Sequence, residues 1–260
     1  MKILLFGDCT GVKQVLRWLP SRWFCGIVMA ENRPQYHKAV KKIAKKKMLN
    51  VLIQPCKTHK NYKRFVDAVQ KLKPNLLLVH SYSMIISDNI LKIADLGGLN
   101  IHASLLPKYR GCNPTEWAII NNEKETGISL HKLTSRIDAG DIFYQIKIPI
   151  AKNDTWKHVS KKINSSVKKV FFKLRAMIEQ KNFKVIKHQK NNKRYFRRRK
   201  PSDARINWRW SKLRIYNFIR AQVPPHYPAW TYDKNKKVKF FKNLVALKKI
   251  KSLKTQYKCF

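Results

Sequence analysis

An amide, an imidazole and a carboxylate stand close together along this 260-residue chain. Asn100 and His102 are two positions apart in the run Asn-Ile-His-Ala-Ser-Leu-Leu-Pro-Lys-Tyr-Arg-Gly, and Asp138 follows in the turn Asp-Ala-Gly-Asp. These side chains suit attack by an amine on an activated one-carbon acyl group. Amide and imidazolium N–H groups stabilise a developing oxyanion, and a carboxylate helps to remove a proton. The three residues are therefore candidates for an acyl-transfer site.

Alternating strand and helix patterns predict the scaffold that must position these groups. The apolar runs at 2–7, 24–30 and 76–79 are typical of strands buried on both faces, and helical spacing of apolar residues lies between them. We therefore expect an α/β fold, with a Rossmann-like, mostly parallel sheet covered by helices on both faces.

This scaffold brings the candidate groups to one edge of the sheet. Asn100 and His102 fall on a predicted strand at 99–103, where residues two apart share a face. Ligands of parallel sheets bind beyond the carboxyl ends of the strands, and the segment 80–86 leaves a neighbouring strand at that edge. Asp138 lies in a turn between two β-type runs, from which we expect it to reach His102.

A basic run divides the remainder of the chain. We expect residues 1–189 to form the domain that carries the site and residues 190–200 to form a basic linker. Residues 201–260 are predicted to form a short C-terminal α+β unit, with a helix around 212–221 and a strand-like tail. Glycine-rich phosphate-binding patterns are absent from the sequence, so dinucleotide and ATP binding have no support.

The charge of the chain leaves two interpretations open. Lys and Arg number 57 against 14 Asp and Glu, a formal net charge of +43. Such a balance is typical of proteins that bind polyanions, yet lysines spread along the chain also fit a bias of composition. The 190–200 run is either a solvated linker or a patch for a nucleic acid or a membrane surface.

Cysteine usage and hydropathy indicate a cytoplasmic protein. The five cysteines are scattered and form no CxxC pair, which fits reduced thiols. No apolar run reaches 18 residues, so we expect no transmembrane helix, and the start of the chain is typical of a first strand rather than a signal peptide. No His/Cys cluster has the spacing of metal ligands, and no metal is expected.

The run from Asn100 to Gly111, followed by Asp138-Ala139-Gly140-Asp141, resembles the core of the folate-dependent formyltransferases. That family includes methionyl-tRNA, glycinamide-ribonucleotide and sugar-nucleotide formyltransferases. The resemblance extends over about residues 1–180 at the level of the fold. It implies that 10-formyltetrahydrofolate is the co-substrate and that Asn100, His102 and Asp138 are the catalytic residues.

The resemblance also implies two sets of binding residues. The folate would contact the segment 81–87 and the loop 136–141, with candidates Ser81, Tyr82, Met84, Ile85, Ile86, Arg136, Ile137 and Asp141. The amine substrate would contact the segment after the catalytic strand, with candidates Ser104, Tyr109, Arg110, Gly111, Asn113 and Trp117.

The identity of the amine is open within the family. The run 111–131 is more similar to the sugar-nucleotide enzymes, since Trp117 follows Pro114 and an Asn-Gly-Glu-like turn precedes the Thr-Gly strand, with Asn122 at the usual Gly position. Ala139 before Gly140 favours the same subgroup. The chain after residue 221 is short for the C-terminal barrel that grips tRNA, whereas the net charge suits tRNA.

We therefore expect an N-formyltransferase acting on a nucleotide-linked amino sugar, with a role in lipopolysaccharide or O-antigen biosynthesis. It would be cytoplasmic, and its oligomeric state, monomer or homodimer, is open. The alternatives are methionyl-tRNA formyltransferase, with tRNA as partner, or formylation of another amine. A remote alternative is a basic nucleic-acid-binding module without catalytic activity, because a fold does not fix a function.

Overall fold

The computed structural model describes residues 1–189, 194–233, 238–243 and 245–257. The chain divides into two compact units, each assembled from separate stretches. The first unit contains residues 1–102, 129–145 and 167–192, and the second contains residues 103–128, 146–166 and 193–260. The predicted boundaries at 189 and 201 follow the linear sequence and stay a prediction.

The described residues form eleven strands and eight α-helices. The strands are β1 (Ile3–Gly7), β2 (Phe24–Ala30), β3 (Asn50–Gln54), β4 (Leu76–His80), β5 (Gly98–His102), β6 (Arg110–Gly111), β7 (Glu125–Lys132), β8 (Ile142–Pro149), β9 (Tyr195–Phe196), β10 (Ala229–Tyr232) and β11 (Val238–Phe241). The α-helices are α1 (Cys9–Trp18), α2 (His37–Lys46), α3 (Tyr62–Leu72), α4 (Asp88–Leu91), α5 (Pro114–Ile120), α6 (Trp156–Glu179), α7 (Lys212–Ala221) and α8 (Leu247–Tyr257).

The large sheet has the strand order β3-β2-β1-β4-β5-β7-β8. The pairs from β3 to β5 are all parallel, and β7 joins β5 in the antiparallel direction. The predicted mostly parallel α/β sheet is therefore confirmed. From β1 the chain adds β2 and β3 on one side of the sheet and then β4 and β5 on the other. Sheets with such a switch usually bind ligands in a crevice at the carboxyl ends of the central strands.

Helices cover both faces of the sheet in the first unit. Val79 of β4 belongs to a buried apolar cluster with Phe65 of α3. The next residue, His80, faces the other way: its Nε2 lies 2.6 Å from Oε1 of Gln14 on α1, and its ring lies 5.7 Å from that of Phe171 on α6. Successive residues of a strand point to opposite faces, so these contacts define the two helical layers.

The second unit has its own apolar core. Ile119 of α5 and Ile215 and Ile219 of α7 are fully buried in one cluster. Trp208 stacks on Tyr257 of α8, with ring centroids 5.1 Å apart. Together with the antiparallel β10–β11 pair, α7 and α8 supply the small C-terminal α+β unit that the sequence predicts.

The strand-like tail is predicted correctly for β10 and β11 but not for Leu247–Tyr257, which is helical. Ile250, Leu253 and Tyr257 are buried and recur at helical spacing, so they form the face that packs on the core. Exposed lysines separate these apolar residues and obscure the pattern in the sequence.

The segment predicted as a basic linker is held in place where the structure describes it. Tyr195–Phe196 pairs in parallel with Arg110–Gly111. Arg197 forms two hydrogen bonds with the Asp203 carboxylate, at 2.7 and 2.8 Å, and these lower the pKa of Asp203 to about 2. Lys193 lies outside the described residues. The segment 194–200 is therefore part of the second unit's structure rather than free chain.

Helix α6 is long and amphipathic. Val170, Phe171 and Leu174 are fully buried, whereas Lys168, Lys169 and Lys173 are exposed. None of the helices in the described ranges combines the length and apolar character needed to span a bilayer.

Candidate active site

The carboxyl end of β5 presents two polar side chains on one face of the sheet. Asn100 and His102 are separated by one residue, and their antiparallel partners on β7 are His131 and Ser129, respectively. Directly opposed residues of an antiparallel pair lie close enough for their side chains to interact. The register of β5 and β7 therefore brings His131 to the candidate site beside Asn100.

The Asn100 amide is held between two acceptors. Its Nδ2 lies 3.0 Å from Nε2 of His131 and 3.2 Å from Oδ1 of Asp138. Nδ1 of His131 lies 2.9 Å from the carbonyl oxygen of Lys132, which only accepts hydrogen bonds. In the neutral ring Nδ1 therefore carries the proton, and Nε2 is left as an acceptor. The amide nitrogen of Asn100 must face these two groups.

Two histidine rings lie close to the Asp138 carboxylate. Oδ2 lies 3.4 Å from Nδ1 of His102, and Oδ1 lies 3.4 Å from Nε2 of His131. Asp138 and His102 are each 9% exposed at the side chain, so little water competes for this contact. Electrostatic interactions strengthen where solvent is excluded. The carboxylate is thus placed to orient the His102 ring.

The loop that carries Asp138 is shaped for this contact. Asp138 adopts a left-handed backbone conformation, with φ of 50°, which Asp tolerates better than most residues. The side-chain Nε2 of Gln189 donates to the carbonyl oxygens of Asp138, at 3.3 Å, and of Gly140, at 2.5 Å. A Cβ at Gly140 would collide with the Lys132 carbonyl, so this turn requires glycine. Gln189 therefore holds the loop in position.

The first set of predicted folate-binding residues lies on the turn after β4. Tyr82 donates a hydrogen bond to Oε1 of Gln54 at 2.9 Å, and burial raises its pKa. Gln54 in turn donates to the carbonyl oxygen of Ile85 at 2.9 Å. Ile86 is buried, Met84 is partly buried, and Ile85 is 68% exposed. Ile85 is thus an apolar side chain left open beside the sheet edge.

Ser81 and Tyr82 also line a very small pocket, of about 10 Å³, at the ends of β1, β2 and β4. Its wall includes Asp8, which caps α1, and Arg33, which lies 3.4 Å from the Asp8 carboxylate. Burial raises the pKa of Asp8. The lining does not include Asn100, His102 or Asp138, so this pocket is distinct from the Asn100 amide site.

The second predicted folate-binding set lies on the Asp138 loop. Arg136 is exposed, and Ile137 is 37% exposed. The Asp141 carboxylate lies 3.0 Å from Nδ1 of His188. Ile137 therefore adds an apolar side chain to the loop that bears Asp138, whereas Asp141 is engaged with the segment after α6.

The predicted substrate-binding residues belong to the second unit. Ser104 is buried and donates to the carbonyl oxygen of Lys108 at 2.8 Å, and Arg110 is buried. Tyr109 donates to Oε1 of Glu123 at 2.8 Å. Burial raises the pKa of Tyr109. The contact with Glu123 raises it further, whereas the hydrogen bond from Asn121 lowers it. These hydrogen bonds fix the shape of the segment after β5.

The other three predicted substrate-binding residues surround the β6–β9 pair. A side chain at Gly111, where φ is 97°, would strike the Phe196 backbone. Oδ1 of Asn113 accepts from the backbone N–H of Arg199 at 3.1 Å. The guanidinium of Arg199 lies over the Trp117 ring at 4.8 Å, a cation–π contact. The set is therefore built into a packed layer of aromatic and basic side chains.

His131, Gln189 and Arg199 are among the residues of these networks that the sequence alone does not identify as part of the site. The contact of His131 depends on the β5–β7 register, and that of Gln189 on how the chain returns after α6. Within the described ranges, no group of three or more His, Cys, Asp or Glu side chains is arranged to hold a metal ion.

The chain belongs to the formyltransferase family: residues 25–174 match the formyl transferase family, and residues 198–253 match the formyl transferase C-terminal domain. The resemblance seen in the sequence is therefore confirmed.

Particular relatives extend this comparison. The chain is 38% identical over 192 residues to the bifunctional polymyxin resistance protein ArnA of Wigglesworthia glossinidia brevipalpis, covering 74% of this chain but 29% of that protein. A sugar N-formyltransferase from Shewanella sp. FDAARGOS_354 has a TM-score of 0.73 at 15% identity, over 95% of this chain and 98% of the other. An N-formyltransferase from Helicobacter canadensis, in complex with folinic acid and dTDP-3-aminofucose, has a TM-score of 0.64 at 21% identity, over 84% and 79%.

Proposed function

We propose that this protein is an N-formyltransferase that moves a formyl group from 10-formyltetrahydrofolate to the amine of a nucleotide-linked amino sugar. The observation that carries the proposal is the convergence of Asn100, His102 and Asp138 within hydrogen-bonding range in a chain of the formyltransferase family. The folinic acid and amino-sugar nucleotide bound by the Helicobacter canadensis enzyme support the same pair of substrates here.

In the proposed reaction, the amine nitrogen of the acceptor attacks the formyl carbon. A C–N bond forms, and the carbonyl electron pair moves onto oxygen. Asn100 donates an N–H to this oxyanion, and His102 as imidazolium adds positive charge. Asp138 orients His102 and takes up the amine's proton, directly or through water. When the oxyanion collapses, the bond from the formyl carbon to N10 of the folate breaks and N10 takes the proton that Asp138 had accepted, so the transfer is balanced.

The residues near the cluster fit a folate. Ile85, on the turn after β4, and Ile137, on the Asp138 loop, are apolar side chains open to solvent. Binding sites for small molecules are mostly apolar with a few placed polar groups. We assign Ser81, Tyr82, Met84, Ile85, Ile86, Arg136, Ile137 and Asp141 to the folate and Ser104, Tyr109, Arg110, Gly111, Asn113 and Trp117 to the acceptor, as proposals. Ile85 and Ile137 are the most informative to test.

The amine acceptor is tested by a screen with 10-formyltetrahydrofolate. TDP- and UDP-linked amino sugars and charged initiator tRNA are offered in parallel, and formylated products are identified by mass spectrometry. We expect product from a nucleotide-linked amino sugar. Formylation of the tRNA alone would reject the sugar assignment, and the absence of any formylated product would reject the function.

Methionyl-tRNA formylation is a second candidate because the net charge of +43 favours a polyanion. Salt dependence separates the two. With tRNA, log K falls by roughly 0.7–0.9 per phosphate contacted for each unit of log salt, which gives a steep slope. With a nucleotide sugar only a diphosphate is engaged, and we expect a slope of about one or two.

A double variant completes this test. Arg194 and Arg198 are exposed, so their replacement by Ser should leave kcat/KM for the amino sugar within about twofold. Arg197 and Arg199 are excluded because Asp203 and Gln222 hold them. A large loss of activity in the double variant, with a steep salt slope, would favour tRNA.

We further propose a cytoplasmic enzyme that contributes to the synthesis of lipopolysaccharide or O-antigen sugars and acts as a homodimer. The support is the sugar N-formyltransferases among the structural relatives. Light scattering on the purified protein measures the oligomeric state directly. Loss of an N-formylated surface sugar in a deletion strain is the expected result in cells.

A further inference from the structure

We propose that His131 is a positioning residue that holds the Asn100 amide in its working orientation. The proposal rests on the proposed function, because it concerns how Asn100 comes to face the formyl oxygen. His131 is 1% exposed, and its two ring nitrogens contact the Lys132 carbonyl oxygen and the Asn100 amide nitrogen. His131 therefore acts on the reaction through Asn100 rather than on the substrate.

The tautomer of His131 follows from its partners. The Lys132 carbonyl oxygen, 2.9 Å from Nδ1, accepts a hydrogen bond and cannot donate one. In a neutral imidazole the other nitrogen then presents a lone pair, and Nε2 lies 3.0 Å from Nδ2 of Asn100. The main chain of β7 thus makes Nε2 a fixed acceptor for one Asn100 N–H.

The second Asn100 N–H faces Asp138. Nδ2 lies 3.2 Å from Oδ1 of the carboxylate, a longer contact than the one to His131. Rotating the amide by half a turn would bring its oxygen against two acceptors, which is unfavourable in a site with little water. His131 and Asp138 together therefore fix the orientation of the Asn100 amide, with its nitrogen toward them and its oxygen away.

This arrangement assigns separate tasks to the two N–H groups of Asn100. The one on His131 anchors the amide throughout the reaction. The one on Asp138 is released when that carboxylate takes up the amine's proton, because a protonated carboxyl is a weaker acceptor. It then serves the oxyanion. Without His131 the amide has one anchor, and that anchor is lost at the step where the oxyanion needs its donor.

The test uses His131→Ala, His131→Gln, Asn100→Ala and the His131→Ala/Asn100→Ala double variant of the full chain. We expect His131→Ala to lower kcat by about 10- to 100-fold with KM within about twofold, since misplacement of a catalytic group is felt mainly in the transition state. His131→Gln should regain much of the activity, because its Oε1 accepts from Asn100 while its amide donates to the Lys132 carbonyl.

The double variant separates positioning from general packing. If His131 acts through Asn100, removing it in the Asn100→Ala background changes kcat by less than about twofold. Additive losses would overturn the proposal, as would wild-type kcat in folded His131→Ala. His80→Gln, which removes another buried imidazole of the same sheet, should leave kcat within about twofold.

A readout that does not depend on activity keeps the two proposals distinguishable. In ¹⁵N NMR spectra, the Asn100 side-chain amide should show two distinct, slowly exchanging protons in the wild type and lose this protection in His131→Ala. His131→Gln gives the same comparison if the Ala variant does not fold. Unchanged Asn100 signals would overturn the role of His131, whereas an inactive wild type with protected signals would count against the proposed function alone.

Discussion

Two buried polar clusters of this molecule are built with opposite balances of charge. The Asn100 cluster (Asn100, His102, His131 and Asp138) surrounds one carboxylate with an amide and two imidazoles. The Arg220 cluster lies in the second unit and surrounds one guanidinium with neutral acceptors. Arg220 is 2% exposed and donates to the carbonyl oxygens of Asp154, at 2.5 Å, and Ala151, at 3.2 Å, and to Oδ1 of Asn217, at 2.8 Å.

The difference indicates what each cluster is for. The acceptors of Arg220 do not titrate near neutral pH, and they tie α7 to the turn before α6, which is a structural task. In the proposed reaction Asp138 takes up a proton and one Asn100 N–H is redirected to the oxyanion. The cluster also lies at the edge of the sheet where ligands of such sheets bind. A buried polar group is therefore better judged by whether its partners can change state than by its burial alone.

The largest expected effect comes from His102→Ala in the Asn100 cluster. Its imidazolium would stabilise charge that develops only in the transition state, so kcat should fall by roughly 10²- to 10³-fold with little change in KM. Steady-state kinetics, with circular dichroism to confirm folding, measure this. Near-normal kcat in the folded variant would remove His102 from the mechanism.

Asp138→Asn tests the charge of the same cluster. The variant keeps size and hydrogen bonding but loses the negative charge between the two histidines. We expect kcat to fall at least ~10²-fold, in line with general acid–base contributions. If the variant kept wild-type activity from pH 6 to pH 9, Asp138 would have only a structural role in the turn.

Arg220→Met makes the corresponding change in the second cluster. It leaves two main-chain carbonyls and the Asn217 amide without their donor, so we expect a loss of about 2–4 kcal/mol in unfolding free energy. Urea denaturation measures this loss. The kcat of the folded variant should stay within about twofold, and a large fall in kcat at unchanged stability would contradict the comparison.

His80 supplies a smaller, pH-dependent effect. Burial lowers its pKa to about 4, below the ordinary 6.5, so the unfolded chain binds more protons between these values. The stability is present above pH 6.5 and is lost as pH falls toward 4. Between pH 7 and pH 5 we expect a loss of about 2 kcal/mol. In His80→Gln this part of the pH dependence should disappear, and its persistence would assign it to other groups.

The sequence predicts local elements well and contacts between distant elements poorly. The predicted strand at 24–30 coincides with β2 and the predicted helix around 212–221 with α7, because continuous apolar runs and helical spacing are local signals. Asn100 and His102 share a face for the same reason. The contacts of Asp138 are harder to predict from the sequence, because they join segments that lie far apart along the chain.

His131 illustrates this limit. It sits in a β-type run like any strand residue, and only the antiparallel register with β5 places it opposite Asn100. Gln189 reaches the Asp138 loop from a segment that the sequence assigns to the end of the first domain. The helix α8 is hidden by the lysines between its apolar positions. In each case packing against distant residues decides the outcome.

The most direct test of the central claim is single-turnover formyl transfer in the wild type and in Asn100→Ala. Enzyme in excess is mixed with 10-formyltetrahydrofolate and the amino-sugar nucleotide, and product is followed by rapid quench. We predict formylated amino sugar from the wild type and a rate lower by roughly 10²- to 10³-fold in the variant, the cost of one oxyanion donor. Equal rates in the two proteins, with the variant folded, would contradict the account.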